Sequence, residues 1–217
     1  MLERHIQALH TDNPGDETPA AARERLKGRF PAGATRRMTT LGLLVGNALA
    51  ELGPGPDDAI VYASRYGESR ALEGFLDSFP TPSPTLFQTS IHPSAVQQLM
   101  IGRQAPVREF LPLSGGAHFA FHALRAALLS PAPRVLVCGG EERGTWLLER
   151  GLASARTFAF AASLSLEAGA GPLGRVRLSR DGGDGELSLE ALFQLLEGRI
   201  PYNGVVAPGW RMEVVWH

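Results

Sequence analysis

The chain of 217 residues contains one cysteine, and a single cysteine excludes a disulfide within the chain. This favours a reducing compartment. Long apolar runs are also missing, because no segment approaches the roughly 20 apolar residues that a membrane-spanning helix requires. The N-terminus lacks the apolar core of a signal peptide. We therefore expect a cytoplasmic protein with no membrane partner.

Excess charge of either sign is absent, since the formal net charge is -1. A basic surplus, which would indicate nucleic acid or an acidic membrane as a partner, is therefore missing. The Gly-Gly pairs at 115–116 and 139–140 lack the spacing of a phosphate-binding loop or a dinucleotide fingerprint. The histidines lack metal-ligand spacing, and there is no Gly-x-Ser-x-Gly nucleophile elbow. We therefore expect neither a cofactor nor a metal.

The hydrophobic content of 44% is ordinary for a globular domain. Residues 1–35 are polar, with a candidate helix from Glu17 to Arg29 and no evident strand, so we interpret them as an N-terminal extension of a domain spanning 36–217. In that domain, helical and apolar segments alternate. The predicted strands are 58–64, 109–114, 134–139, 157–167, 174–180 and 211–216, and the predicted helices are 36–52, 68–79, 93–102, 117–129 and 187–198. This alternation predicts an α/β fold with a mostly parallel sheet flanked by helices.

The most informative segment is a strand that runs into a glycine corner. The apolar residues 109–114 lead into Gly115-Gly116, and the helix predicted at 117–129 has almost no polar face. A helix that is apolar all round is buried. The next strand, Arg134-Val-Leu-Val-Cys-Gly-Gly-Glu141, reads as a fully buried strand, so Cys138 is predicted to be an inert core residue.

This order resembles the nucleophile-bearing core of β-ketoacyl synthases, whose reactive cysteine begins the helix after the corner. Their pattern Cys-x-Ser-Gly-x-His-Ala, aligned on Phe121-His122-Ala123, places the cysteine position on Ala117, within one residue. Residues 83–106 resemble the loop and helix before the nucleophile strand, and Gly139-Gly140-Glu141 resembles the Gly-Gly-x-Glu strand ending. The resemblance covers roughly 36–217 and is to the short β-ketoacyl synthase N-terminal-like proteins, chain-length-factor partners in aryl polyene and related type II polyketide pathways.

The resemblance implies a thiolase-like half, truncated relative to a full condensing enzyme. Such an enzyme also has two catalytic histidines in His-Gly-Thr and Gly-His motifs, and neither motif contains any of the six histidines here: His5, His10, His92, His118, His122 and His217. It therefore implies a catalytically inactive subunit that pairs with an active ketosynthase and meets the acyl carrier protein only indirectly, through the complex. The nucleophile position near Ala117 and His118 would be vacated.

Eight residues are implied to line the acyl tunnel or the partner interface: Phe87, His92, Gln97, Met100, Phe110, Leu111, Leu113 and His118. Each has a plainer interpretation, because Phe87 and Met100 could fill the core, His118 could be a hydrogen-bonded core histidine, and His92 and Gln97 could face solvent. The strand at 109–114 would pair across the interface, where Pro112 removes one hydrogen-bond donor.

Two other functions stay open at this point. One is a thiolase-like acyl hydrolase or transferase that uses Ser114 or His118. The other is a homodimeric acyl-binding scaffold, in which the same strand pairs with its own copy.

Overall fold

A computed structural model describes residues 1–31, 33–91, 93–104 and 106–217. Within them, eight strands form one sheet in the order β3-β2-β4-β5-β1-β6-β8-β7, and helices cover both of its faces. The strands are β1 (Leu2–Asp12), β2 (Ala59–Ser64), β3 (Glu109–Ser114), β4 (Arg134–Glu141), β5 (Phe158–Ser165), β6 (Gly174–Arg180), β7 (Tyr202–Ala207) and β8 (Trp210–Trp216). The helices are α1 (Pro19–Leu26), α2 (Thr40–Glu51), α3 (Ser69–Leu76), α4 (Pro84–Thr89), α5 (Ser94–Arg103), α6 (Phe119–Leu129), α7 (Trp146–Glu149) and α8 (Leu189–Glu197).

The pairing of the strands is mixed. Strand β2 pairs in parallel with β3 and β4, whereas every other pairing along the described sheet is antiparallel. The α/β class with flanking helices is confirmed, but the expectation of a mostly parallel sheet is wrong in this respect. Strands β7 and β8 are joined directly through Pro208-Gly209, a connection short enough to permit only antiparallel neighbours.

Strand β1 was not predicted, and it lies inside the sheet between β5 and β6. Its residues Arg4 and Ile6 are buried on one face. The guanidinium of Arg4 donates hydrogen bonds to the backbone carbonyls of Ser130, Ala132 and Pro133, at the end of α6 and in the turn before β4. The N-terminal segment thus shares its sheet with the predicted domain.

Two apolar layers enclose the sheet. Helices α6 and α8 pack on one face, where the rings of Phe158 and Phe193 stack at 4.7 Å between centroids. Helices α2 and α5 pack on the other face, over Tyr62 and Cys138. Together the layers place the glycine corner after β3 at the edge of the sheet.

Helix α2 begins later than the periodicity indicates. The side-chain oxygen of Thr39 accepts the backbone N–H of Gly42 at 2.9 Å and so caps the first turn. Residues Ala34–Arg37 form a separate 3-10 turn. A search of the described helices finds none with the length and hydropathy needed to cross a bilayer.

Candidate functional site

The corner between β3 and α6 has an unusual backbone. Gly115, Gly116 and His118 have φ angles of 69°, 82° and 54°, all in the left-handed region. Glycine adopts this conformation readily, but at His118 it is uncommon and costs free energy. The Gly115 N–H donates to the Arg65 carbonyl at 3.1 Å, which ties the corner to the end of β2. The corner is therefore a sharp turn held in place from outside.

The side chains at this corner include no thiol. Ala117 is exposed, and His118, the N-cap residue of α6, is half-buried. The Nδ1 atom of His118 is buried and has no hydrogen-bond partner among the described residues. A general base usually has its second ring nitrogen held by an orienting group. Among the described residues, no group therefore orients the imidazole at the corner through its Nδ1 atom.

The sole cysteine lies away from the corner. Cys138 is fully buried in β4, as predicted, and its pKa is raised far above the ordinary value because burial disfavours the thiolate. A thiol that stays protonated and buried is a poor nucleophile.

The carboxylate of Glu141, at the end of β4, is buried in a cradle of donors that the sequence did not reveal. It accepts hydrogen bonds from the Ser64 hydroxyl at 3.2 Å, the Arg65 N–H at 2.6 Å and the Tyr66 N–H at 3.4 Å. Because Arg65 also accepts from Gly115, this one side chain links the ends of β4 and β2 to the glycine corner. Burial raises the pKa of Glu141 to about 7, although the hydrogen bonds from Arg65, Tyr66 and Ser64 oppose the shift.

Two more buried glutamates accept hydrogen bonds near the same ends of the strands. Glu142 accepts the Leu41 N–H at 3.2 Å, which places the start of α2. Glu73 accepts the N–H groups of Thr145 and Leu147 at 2.7 and 2.8 Å, and so fixes the segment that follows β4. The two glutamates of the Gly-Gly-Glu-Glu motif thus hold neighbouring backbone segments in place at the carboxyl ends of the parallel strands. No cluster of metal-binding side chains occurs among the residues whose structure is described.

The titration of Glu141 predicts how stability depends on pH. The unfolded chain deprotonates this group near its ordinary pKa of 4.5, whereas the folded chain keeps the proton until about pH 7. Between these values the folded state binds more protons, so the contribution of Glu141 falls as the pH rises, by about 3 kcal/mol across the window. We expect Glu141→Gln to remove this fall in urea unfolding curves measured from pH 4.5 to 7.5.

Glu186→Gln, which removes an exposed carboxylate, controls for the change in net charge. An unchanged pH slope in Glu141→Gln would show that the group is ionised throughout.

The predicted tunnel residues lie on different surfaces. Phe87 in α4 is 51% exposed, and its ring packs on Phe75 at 5.3 Å between centroids. Gln97 in α5 is exposed and lines a cleft of about 450 Å³. Met100 is partly buried against the core beneath α2. The single chain does not gather these three around one cavity, and His92 lies outside the described residues.

Strand β3 forms one edge of the sheet. Phe110, Leu111 and Leu113 are each half-buried: Phe110 packs towards α2 and α5, while Leu111 and Leu113 pack towards α6. Its other edge has no strand beside it within the described chain. An open edge with apolar side chains on both faces is a template for pairing with another chain.

The mixed sheet between two layers of helices, the buried helix α6 and the glycine corner define an α/β protein. No protein-family model matches the chain, and no curated protein matches it. Among solved structures it is similar to a chain of "Ketosynthase (ApeO) in Complex with its Chain Length Factor (ApeC)" from Xenorhabdus doucetiae, with a TM-score of 0.73 and 22% identity over 99% of both chains.

Two further structures show the same fold. The ishigamide ketosynthase/chain length factor aligns with a TM-score of 0.57 and 14% identity, over 83% of this chain and 68% of that chain. The complex AntDE:AntF, a type II polyketide acyl-carrier protein with its ketosynthase, aligns with a TM-score of 0.54 and 12% identity, over 84% and 71%. At these identities the likeness establishes the fold, which confirms the resemblance at that level.

Proposed function

We propose that this chain is a non-catalytic, chain-length-factor-type subunit that pairs with an active β-ketoacyl synthase. The observation that carries the proposal is the corner before α6, which presents Ala117 and His118 but no thiol, while the one cysteine, Cys138, is buried elsewhere. The resemblance assigns this corner to the nucleophile of a condensing enzyme. A buried protonated thiol and an unoriented imidazole supply neither a nucleophile nor a general base. The acyl hydrolase alternative needs both.

The open edge of β3 supports a partner. Phe110, Leu111 and Leu113 would be covered by a strand of the ketosynthase, and the corner at His118 would then lie at the interface. In the complex, Phe87, His92, Gln97 and Met100 would limit the length of the acyl tunnel. One methylene excluded by such a wall is worth about 0.8 kcal/mol of binding, enough to select chain length within about two carbons. The complex would work in the cytoplasm on chains held by an acyl carrier protein, in an aryl polyene or related type II polyketide pathway.

The test is co-expression of the tagged full-length chain with the ketosynthase encoded beside it. We expect a one-to-one heterodimer in native mass spectrometry. After incubation with an acyl thioester, intact-mass analysis should show the acyl adduct on the ketosynthase only. A Cys138→Ser variant should give the same pattern, which separates the buried thiol from the chemistry.

Two results would contradict the proposal. A stable homodimer that ignores the ketosynthase would favour the acyl-binding scaffold. An acyl adduct on this chain, lost in Ser114→Ala or His118→Ala, would favour the hydrolase or transferase.

A further inference from the structure

Six large apolar side chains are exposed on α3, on α4 and in the residues that follow each helix, and we call them the α3–α4 surface: Leu72, Leu76, Phe79, Leu86, Phe87 and Ile91. The rings of Phe79 and Phe87 are 56% and 51% exposed, and both contact Phe75, at 5.5 and 5.3 Å between centroids. Single exposed apolar residues are common, but a contiguous patch of this kind marks a site of association.

The charges around this surface are mostly positive, and Asp77, which follows α3, is an exposed carboxylate within it. The sequence from Ser78 to Arg108 contains no Asp or Glu. Two clefts of about 350 and 450 Å³ lie beside the surface and share Thr85 and Thr89; Arg36 and Leu86 line the smaller, and Arg37 and Ile91 line the larger.

Arg36 and Arg37 are exposed, positively charged residues at the rim of the two clefts. Neither Arg36 nor Arg37 forms an ion pair within the described chain. Among the described residues that line the two clefts, Glu142 is the one carboxylate, and it is buried and accepts the Leu41 N–H. The apolar patch thus has a rim with two unpaired arginines, and Asp77 is the exposed carboxylate beside it.

We propose that the α3–α4 surface docks on an apolar patch of the ketosynthase partner whose rim carries Asp or Glu side chains that pair with Arg36 and Arg37. This inference rests on the proposed function and adds the chemistry of the partner's surface. Gln97, a predicted interface residue, lines the same cleft as Arg37 and Ile91, so the surface is continuous with the proposed interface.

The charge pattern argues against a second copy as the occupant. A two-fold dimer places the same patch on both sides of the interface. Two copies would therefore bring together two surfaces on each of which Arg36 and Arg37 outnumber the exposed carboxylate of Asp77. Like charges in such an arrangement oppose association, whereas carboxylates on a different partner favour it and speed its encounter.

The test measures the dissociation constant and association rate of the full-length chain with its ketosynthase at 50 and 500 mM NaCl. We expect R36E/R37E to weaken binding about 10-fold at 50 mM, mainly through the association rate, and by less than about threefold at 500 mM, because salt screens rim charges. R36K/R37K should bind within about threefold of wild type. F79S/F87S should weaken binding about 100-fold at both salt concentrations, since it removes buried apolar area.

R143E/R150E reverses two exposed arginines between β4 and β5 and is the matched control, which should bind like wild type. If the wild type binds and R36E/R37E binds equally well, this inference fails while the proposed function stands. If the wild type binds no ketosynthase, both fail. A homodimer that F79S/F87S dissociates would assign the surface to a second copy and overturn the inference.

Discussion

Replacing Gly139 with alanine should cost the fold at least about 3 kcal/mol, because no space exists for a methyl group between strands β2 and β5. A Cβ atom built at Gly139 would lie far inside the contact distance of the Ala63 carbonyl oxygen, and 3.1 Å from Cζ of Phe160. The oxygen belongs to the backbone of β2, which pairs with β4 itself. It could move only if the parallel pairing at the centre of the sheet were disturbed.

Gly74→Ala is the matched control. Gly74 lies in α3, and no atom stands within 4 Å of its Cβ position. Alanine is favoured over glycine inside a helix, so this variant should be as stable as wild type or more stable by up to about 1 kcal/mol. Urea unfolding midpoints of the two variants give the comparison. A Gly139→Ala protein within about 1 kcal/mol of wild type would show that the strands can separate enough to admit a methyl group.

The Gly139-Gly140 pair shows what a motif alone leaves open. Its spacing excluded a phosphate loop, and its place after an apolar run predicted the end of a buried strand. The sequence carried no sign that β2 and β5 approach from both sides, because these neighbours are set by pairing between distant segments. Strands β3 and β6, by contrast, were predicted with their observed bounds, since turn residues and apolar alternation define them locally.

Strand β1 was missed for an identifiable reason. Strict alternation would place Leu2, Arg4, Ile6 and Ala8 on one face, and the charged residue in that series makes the segment look solvated. In the structure the register shifts between Ile6 and Ala8, and Leu9 packs on the same core layer as Leu2 and Ile6. Arg4 can be buried in a strand because its guanidinium finds backbone carbonyls as hydrogen-bond acceptors. These acceptors lie some 126 to 129 residues further along the chain. The hairpin of β7 and β8 did carry a local signal, because Pro208-Gly209 is a turn dipeptide between two apolar runs.

The candidate site likewise has features that could be predicted from the sequence and features that could not. The burial of Cys138 could be predicted from local sequence, because it lies in an unbroken apolar run. The assignment of Ala117 to a nucleophile position came from the resemblance and stays a prediction. The carboxylate cradle could not, because Glu141 and the Arg65 N–H that it accepts are 76 residues apart. The tunnel residues came from a resemblance to proteins that act as pairs, and a single chain leaves Phe87 and Gln97 on its exterior.

Replacing Arg4 with methionine should destabilise the protein by about 2 to 5 kcal/mol, because two buried backbone carbonyls each lose a donor at a cost of about 1 to 3 kcal/mol. The side chain is fully buried in β1, and burial lowers the pKa of its guanidinium without removing the charge. Its N–H groups donate hydrogen bonds to the carbonyls of Ser130, of Ala132 at 3.0 Å and of Pro133 at 3.3 Å. Methionine preserves most of the volume, so the loss comes from the buried carbonyls of Ser130 and Ala132, since the Pro133 carbonyl still accepts the Leu166 N–H.

The same strand offers a control of similar design. The Gln7 amide donates to the Ser165 hydroxyl and to the carbonyls of Glu167 and Ala168, at 2.6, 3.0 and 2.8 Å, but these acceptors lie near solvent. Water replaces the lost donor there, so Gln7→Met should cost less than about 1 kcal/mol. Arg4→Lys keeps the charge with fewer directed donors and should fall between the two.

Equilibrium unfolding in urea measures all three variants. If Arg4→Met and Gln7→Met lost the same free energy of unfolding, the carbonyls around Arg4 would have to be solvated in the folded state. The much larger loss expected for Arg4→Met would instead establish that an arginine at the first buried position of β1 joins the N-terminal strand to the end of helix α6. That helix begins at the glycine corner, so the contact at its far end also helps to hold the corner in place.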